Sequence, residues 1–153
     1  DFGVVFGDFD KTKYEYIPVS CMEHFGVLMR KDDPLAERES IDPKELWNKP
    51  LIVSRQAQCD AALPELLGRK QEKLNIVGSY NLLFSGSLMV EEGMGYALAF
   101  DKIVDTGADS NLCFRPLSLQ NEIPMFVLWK KYQVFTKAAE KFLIKLRELE
   151  DED

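Results

Sequence analysis

The sequence predicts an α/β fold with a largely parallel sheet. Apolar runs typical of buried strands alternate with amphipathic stretches typical of helices through the middle of the chain. The length of 153 residues suits one domain, or two small lobes that share a chain. With 46% apolar and 29% charged residues, the composition is that of an ordinary soluble protein rather than a disordered one.

The first elements are predicted to be strands joined by turns. The apolar run at 2–6 predicts a short buried strand. Residues 13–19 alternate between polar and apolar and predict a second strand, which ends near Pro18. A third strand over 24–30 is followed by a turn at 32–34.

A helix is predicted to start at Asp42. This residue can cap the helix, Pro43 suits the first helical position and Glu45 completes a capping box. The helix is short, because Pro50 follows and residues 51–54 form an apolar strand.

Two further helices with a strand between them are predicted for 55–93. The first helix ends at Gly68, the strand covers 73–80, and the second helix is capped by Asn81 and ends before Gly93. The apolar face of the second helix is predicted at Leu82, Leu83, Leu88 and Met89.

The last third is predicted to contain three strands and a C-terminal helix. The strands cover 95–100, 111–117 and 124–131. The helix over 134–149 is amphipathic. Its predicted apolar face consists of Phe135, Ala138, Ala139, Phe142, Leu146 and Leu149.

Charge and cysteine content argue against several classes of function. The net charge of −7, with scattered basic residues, argues against nucleic-acid binding by this chain. No apolar run is long enough to span a membrane. Cys21, Cys59 and Cys113 are far apart and His24 is the only histidine, so we expect buried thiols, a reducing compartment and no zinc site.

The Asp8-Phe9-Asp10-Lys11-Thr12 stretch is similar to the nucleophile motif of haloacid dehalogenase-type phosphatases. The acidic pair that such an enzyme needs, Asp32-Asp33, comes only 22 residues after Asp10, which is too soon for the intervening βα units. Lys11 also stands where that family has glycine. The sequence around Asp8 and Asp10 therefore favours a polar turn.

Four stretches, in order, resemble the effector-binding domain of LysR-type transcriptional regulators. They are "DFGVVF" at 1–6, "YEYIPVSCMEHFGVLM" at 14–29, "VLMRKDDPLAERESIDPKELWNKPLIVSRQ" at 27–56 and "MVEEGMGYALAFDKIV" at 89–104. Together with their spacing they extend the resemblance over essentially all 153 residues.

The resemblance implies a type 2 periplasmic-binding-protein-like fold with one complete α/β lobe and one partial lobe. Residues 1–19 and 117–153 would form the partial first lobe and residues 20–116 the second lobe, with hinges at 19–23 and 113–119. The family's first βα units, linker helix and winged helix-turn-helix are not in this sequence, so a fragment is expected.

The implied function is ligand sensing rather than catalysis. A small effector, which we expect to be a carboxylate or another anion, would bind between the lobes and control transcription, without a cofactor. DNA would be bound only through the absent N-terminal domain, in the cytoplasm. Self-association is expected through apolar surface on "GVVF", "MFVLW" and the last helix. The alternatives are a transporter's solute-binding receptor and, less favoured, the phosphatase.

Candidate effector contacts lie where strands end, because ligands of open α/β sheets bind beyond the carboxyl ends of strands. They are Ser54, Arg55, Gln56, Asn81, Phe6 and Gly7. Arg55 could pair with a carboxylate. The structural alternatives are that Ser54 and Asn81 cap helices, that Arg55 is solvated and that Asp8 belongs to a turn. Trp47 and Trp129 are expected to pack rather than bind.

Overall fold

The computed structural model describes residues 1–6, 9–59, 62–118 and 122–151. The strands are β1 (Gly3–Phe6), β2 (Tyr14–Arg30), β3 (Leu51–Ser54), β4 (Ile76–Tyr80), β5 (Tyr96–Phe100), β6 (Leu112–Pro116) and β7 (Glu122–Lys130). The α-helices are α1 (Arg55–Cys59), α2 (Ala62–Leu67), α3 (Leu83–Glu91) and α4 (Lys137–Asp151), and short 3₁₀ helices cover Pro34–Glu37, Pro43–Leu46 and Gln71–Lys73.

The chain divides into two compact units. The first unit consists of residues 1–23 and 122–153, and the second consists of residues 24–121. In the first unit β7 lies between β1 and the first part of β2. β1 and β7 are antiparallel, with Val4 opposite Val127. α4 completes this unit.

The second unit contains a five-stranded mixed sheet in the order β6-β2-β5-β3-β4. β3 is parallel to both of its neighbours, as predicted, with Ser54 opposite Tyr80 and Ile52 opposite Ala97. β2 is antiparallel to β5 and β6, which the prediction of a largely parallel sheet missed. Parallel strands need a long crossover connection, usually a helix, whereas antiparallel strands do not. The connection from β2 to β3 contains only 3₁₀ turns.

Both faces of this sheet are buried. Successive residues of a strand point to opposite faces. Leu51 and Val53 accordingly enter one apolar cluster with Val27 and Leu98, while Ile52 enters the other. The 3₁₀ helices and α2 cover the first face and α3 covers the second. Such two-sided burial explains why these strands are continuous apolar runs.

Several boundaries differ from those predicted. β2 is one strand of 17 residues that passes through Pro18, since an isolated proline keeps an extended backbone and lacks only a donor. The helix that starts at Asp42 is a single 3₁₀ turn, although the predicted capping box with Glu45 is present. The helix predicted after β3 is described as two short pieces, α1 and α2, and Gly68 follows with φ +61 as expected for its end.

The buried face of α3 is also not the predicted one. The residue at the N-cap is Leu82, which offers no side-chain hydrogen bond, so Asn81 is not the cap. Leu82 is 72% exposed and Leu88 47% exposed, whereas Leu83 is buried and Met89 packs partly against the second cluster. The buried residues follow helical spacing: Leu83, Gly86, Ser87 and Val90. Gly93 follows the end of the helix, as predicted, with φ +74.

The apolar face of α4 is only partly covered. Ala139 is buried and Leu146 half-buried, but Phe142 is 49% and Leu149 63% exposed. The Phe2 ring lies 4.9 Å from that of Phe142, between ring centroids. This leaves part of the predicted face open.

The expectation of exposed surface on the "MFVLW" strand is wrong. Val127, Leu128 and Trp129 are buried, and the Trp129 ring packs edge-on against the rings of Phe2 and Phe135. In β1, by contrast, Val4 is 59% exposed. Among the described residues, no helix is both long enough and apolar enough to cross a bilayer.

Candidate functional site

The candidate site lies at one edge of the second unit's sheet. Because β3, β4 and β5 are parallel, their carboxyl ends meet at the same edge. Ser54 and Tyr80, the last residues of β3 and β4, are direct neighbours in the register. Arg55 and Asn81 therefore leave the sheet side by side. The sequence placed each of them at the end of a strand, but it did not place them next to each other. Ligands of open α/β sheets bind in this position.

Ser54 has a structural role here. Its hydroxyl oxygen accepts a 3.0 Å hydrogen bond from the backbone N–H of Ala57, so it caps α1. The two residues that follow, Arg55 and Gln56, are exposed. Within the described part of the chain, neither side chain has a hydrogen-bond or ion-pair partner. The guanidinium of Arg55 is therefore available to an anion.

Asn81 is exposed and does not cap α3. Its amide makes no hydrogen bond with any residue that the structure describes, so it can both donate to and accept from a ligand. The sequence offered helix capping as the structural role of both Ser54 and Asn81. Ser54 caps α1, whereas Asn81 does not cap α3.

The remaining candidates belong to the first unit. Phe6 is the last residue of β1 and is paired with Met125 of β7. Gly7 and the neighbouring Asp8 lie outside the described residues. Ser54, Arg55, Gln56 and Asn81 are thus the candidates that the fold brings to one edge.

Sequence reasoning missed three polar residues at this edge. Asp101 and Lys102 directly follow β5, the third parallel strand. His24 enters the same edge on antiparallel β2, where its carbonyl oxygen accepts a 3.0 Å hydrogen bond from the Asp101 N–H. Lys102 is exposed and has φ +62, in the left-handed region. The rule that selected Arg55 and Asn81 would have found Asp101 and Lys102 had it been applied to β5.

The stretch that resembles a phosphatase motif is a turn where it is described. An Asp10 carboxylate oxygen accepts a 3.0 Å hydrogen bond from the Thr12 N–H, and Lys13 Nζ lies 2.9 Å from the other oxygen. The hydrogen bonds from Thr12 and Lys13 lower the pKa of Asp10 to about 2. Asp32 pairs with Arg30, and Asp33 accepts a 2.9 Å hydrogen bond from the Leu35 N–H. These carboxylates therefore have local structural partners.

The tryptophans pack as expected. Trp129 is buried, and Trp47 Nε1 donates a 2.8 Å hydrogen bond to the carbonyl oxygen of Leu67. Cys113 is a buried free thiol whose pKa is raised by burial, and the side chains of Cys21 and Cys59 are outside what the structure describes. In the described ranges, no group of three or more His, Cys, Asp or Glu side chains is placed to hold a metal ion.

Comparison with solved structures shows the same fold in regulators of transcription. The chain is similar to HinK, a LysR family transcriptional regulator from Pseudomonas aeruginosa, with a TM-score of 0.75 and 19% identity, over 97% of this chain and 53% of that one. It therefore spans about half of that protein.

Two regulatory domains give similar results. The domain of CcmR from Synechocystis PCC6803, in complex with 2-PG, has a TM-score of 0.75 and 17% identity, over 97% of this chain and 73% of that one. The reduced regulatory domain of OxyR from Pseudomonas aeruginosa has a TM-score of 0.69 and 24% identity, over 92% and 68%. A comparison with curated protein sequences finds no match.

The sequence pattern of the LysR substrate binding domain matches residues 1–150. That match favours a ligand-sensing domain of a transcriptional regulator over a transporter's receptor or a phosphatase. Domains of this family have the type 2 periplasmic-binding-protein-like α/β fold. The chain belongs to the LysR substrate binding domain family.

Proposed function

We propose that this chain senses a small anionic effector, which binds at the carboxyl ends of β3, β4 and β5. The observation that carries the proposal is Arg55: an exposed guanidinium, without a partner among the described residues, at the edge where such sheets bind ligands. A guanidinium can hold a carboxylate or phosphate through two parallel hydrogen bonds. The 2-PG in the CcmR regulatory domain supports a small-molecule effector.

The other candidates have defined roles in this proposal. Asn81 and Gln56 would bind polar groups of the effector and select its shape. Lys102 would add a second cation at the same edge. Ser54 would act indirectly, by holding the start of α1 and hence the backbone at Arg55. Phe6 and Gly7 would contribute from the other lobe.

The lobes would follow the expected division, with residues 1–19 and 117–153 in a partial first lobe and residues 20–116 in the second. The effector would control transcription because it binds one arrangement of the regulator more tightly than another. DNA would be bound through an N-terminal winged helix-turn-helix of the whole cytoplasmic regulator, and this chain would perform no catalysis.

Calorimetric titration of the chain with 2-PG and a panel of small carboxylates and phosphates tests the proposal. For an anion that binds, we expect Arg55→Ala to weaken affinity by about ten-fold or more, because a charge-assisted hydrogen bond is worth about 1.5–3 kcal/mol. Arg147→Ala removes an exposed arginine from α4 and is the matched control. An anion that binds equally well to the Arg55→Ala protein would overturn the assignment of this edge.

A further inference from the structure

A basic cavity lies in the first unit, where β2 begins and β7 ends. Its volume is about 440 Å³. Two short segments form its walls, and the Lys131 N–H joins them by a 3.1 Å hydrogen bond to the Lys13 carbonyl oxygen. The lining residues are Thr12, Lys13, Tyr14, Lys130, Lys131 and Tyr132. Of the residues that the structure describes, no aspartate or glutamate lines this cavity. Its size suits a small molecule, and its charge suits an anion.

The cations of this cavity are unfavourable neighbours for one another. Lys13 and Lys131 are adjacent across the two segments, and like charges in such positions repel each other. Asp10 balances the charge of Lys13, with 2.9 Å between its carboxylate oxygen and Lys13 Nζ. In the described part of the chain, the ammonium groups of Lys130 and Lys131 have no carboxylate partner. Two cations of the cavity are therefore available to an anion, on a chain whose net charge is −7.

Tyr132 is fully exposed beside these cations. Its relative exposure is 100% and its φ is +62. It is the third residue of a turn in which the Gln133 N–H donates a 3.2 Å hydrogen bond to the Lys130 carbonyl oxygen. A turn with positive φ at this position usually has glycine or asparagine there. A tyrosine costs conformational free energy at this position, and its exposed ring returns none of it through packing.

We propose that this cavity binds a nucleotide. The phosphate groups lie against the ammonium groups of Lys130 and Lys131, which bind phosphate as point charges. The base stacks on the ring of Tyr132, because every base has a face that stacks on aromatic side chains. The cavity has the size for one small ligand, and the net charge of −7 repels a long nucleic-acid strand. A free nucleotide is therefore the ligand that fits.

This proposal does not rest on the effector site. The residues of the basic cavity belong to the first unit, whereas Arg55 belongs to the second. Arg55→Ala should therefore leave nucleotide binding unchanged. Binding of ADP can be measured on the same chain, whatever the effector at Arg55 is.

Calorimetric titration of the full chain with ADP tests the proposal. We expect saturable binding of one ADP per chain. The double variant Lys130→Ala/Lys131→Ala should weaken the affinity for ADP by about ten-fold or more, because it removes charge-assisted contacts with the phosphates. The matched control is Lys141→Ala/Lys145→Ala, which removes two exposed lysines from α4 and should leave the affinity unchanged.

The turn residue separates binding from folding. Tyr132→Gly should weaken the affinity for ADP by about ten-fold, because the base loses its stacking partner. The same variant should keep or raise the melting temperature, because glycine adopts positive φ without steric cost. Tyr132→Phe keeps the ring and should keep the affinity.

Fragments of the nucleotide and a longer strand complete the test. Adenosine and pyrophosphate should each bind more weakly than ADP by about ten-fold or more, because each lacks the contacts of the other half. Pyrophosphate that binds as tightly as ADP would overturn the proposal, and so would a thymidine oligonucleotide that binds more tightly. An affinity for ADP that falls in Arg55→Ala but not in the Lys130/Lys131 variant would also overturn it. No binding of ADP at millimolar concentration would do the same.

Discussion

The hydroxyl of Tyr80 donates a 2.6 Å hydrogen bond to the carbonyl oxygen of Leu98. Since β3 lies between β4 and β5, this bond passes over the intervening strand and ties the outer two together. Gly86 of α3 leaves the space that the ring occupies, because a Cβ atom there would come 2.8 Å from Tyr80 Cδ1. Tyr80 thus fixes the backbone from which Asn81 extends.

Tyr80 should make stability depend on pH in the alkaline range. Burial raises the pKa of Tyr80 from 10.0 to about 12. The folded chain therefore holds this proton more tightly than the unfolded chain, so the stabilisation is complete below about pH 10 and is lost between about pH 10 and 12. Urea unfolding should show a steeper loss of unfolding free energy in this window for the original chain than for Tyr80→Phe.

At neutral pH, Tyr80→Phe should lower the unfolding free energy by about 1 kcal/mol through the lost hydrogen bond. Tyr132→Phe is the control, because Tyr132 is fully exposed. Its replacement should change neither the unfolding free energy at neutral pH nor the decrease of that free energy at alkaline pH. Equal alkaline slopes for the original chain and Tyr80→Phe would contradict the burial of the hydroxyl.

Two adjacent leucines should differ sharply in their contribution to stability. Leu83 is 8% exposed and packs in the cluster on the α3 side of the sheet, whereas Leu82 is 72% exposed. Leu83→Ala should cost about 2–4 kcal/mol of unfolding free energy and Leu82→Ala less than about 0.5 kcal/mol. Chemical denaturation of the two variants measures this directly. Similar losses of unfolding free energy in the two variants would mean that α3 in solution turns a different face to the sheet than described here.

Gly26 should not tolerate a side chain. A Cβ atom there would lie 2.3 Å from the Arg115 carbonyl oxygen and 2.4 Å from Phe114 Cζ. We expect Gly26→Ala to lower the unfolding free energy by about 3 kcal/mol or more, because backbone as well as side chain must move. Gly68→Ala is the comparison: its φ is +61 but its surroundings are open, so only backbone strain of about 1–2 kcal/mol applies. Thermal unfolding of both variants should preserve this order.

The capping box at Asp42 should contribute measurably to stability. Its carboxylate accepts a 2.8 Å hydrogen bond from the Lys44 N–H, and the Glu45 carboxylate accepts one of 3.2 Å from the Asp42 N–H. Asp42→Ala should cost about 1 kcal/mol, and Asp42→Asn, which keeps an acceptor, should recover most of it. Glu39→Ala, at an exposed position nearby, serves as the control in the same unfolding measurement. An unchanged stability for Asp42→Ala would show that the cap is not formed in solution.

Features that depend on a few neighbouring residues were predictable from the sequence. The capping box of Asp42 and Glu45 is local chemistry, and so are the glycine ends of helices at Gly68 and Gly93, where positive φ is needed. The apolar runs of β3 and β5 were equally clear. The buried face of α3 was not predictable in this way, because Leu82 and Leu83 are equally apolar and the position of the sheet alone decides which is covered.

The candidate site, too, was predictable only where it depends on local sequence. The position of Arg55 at the end of β3 followed from the apolar run before it. The presence of His24 at that edge required knowing that β2 runs antiparallel to β5, and this pairing joins distant residues, such as Phe25 and Phe100. Pairings at such separation leave no local pattern in a sequence, so strand order had to come from the structure.

The strand order also determines when this chain can fold during its synthesis. β2 lies inside the sheet of the second unit, but its partners β5 and β6 are translated much later, and that sheet is incomplete until Pro116 has left the ribosome. β1 can pair only later still, because Gly3 lies opposite Leu128 of β7. In a nascent chain β1 and β2 therefore stay unpaired until these later segments have been made, and we expect such long-range pairing to be slow.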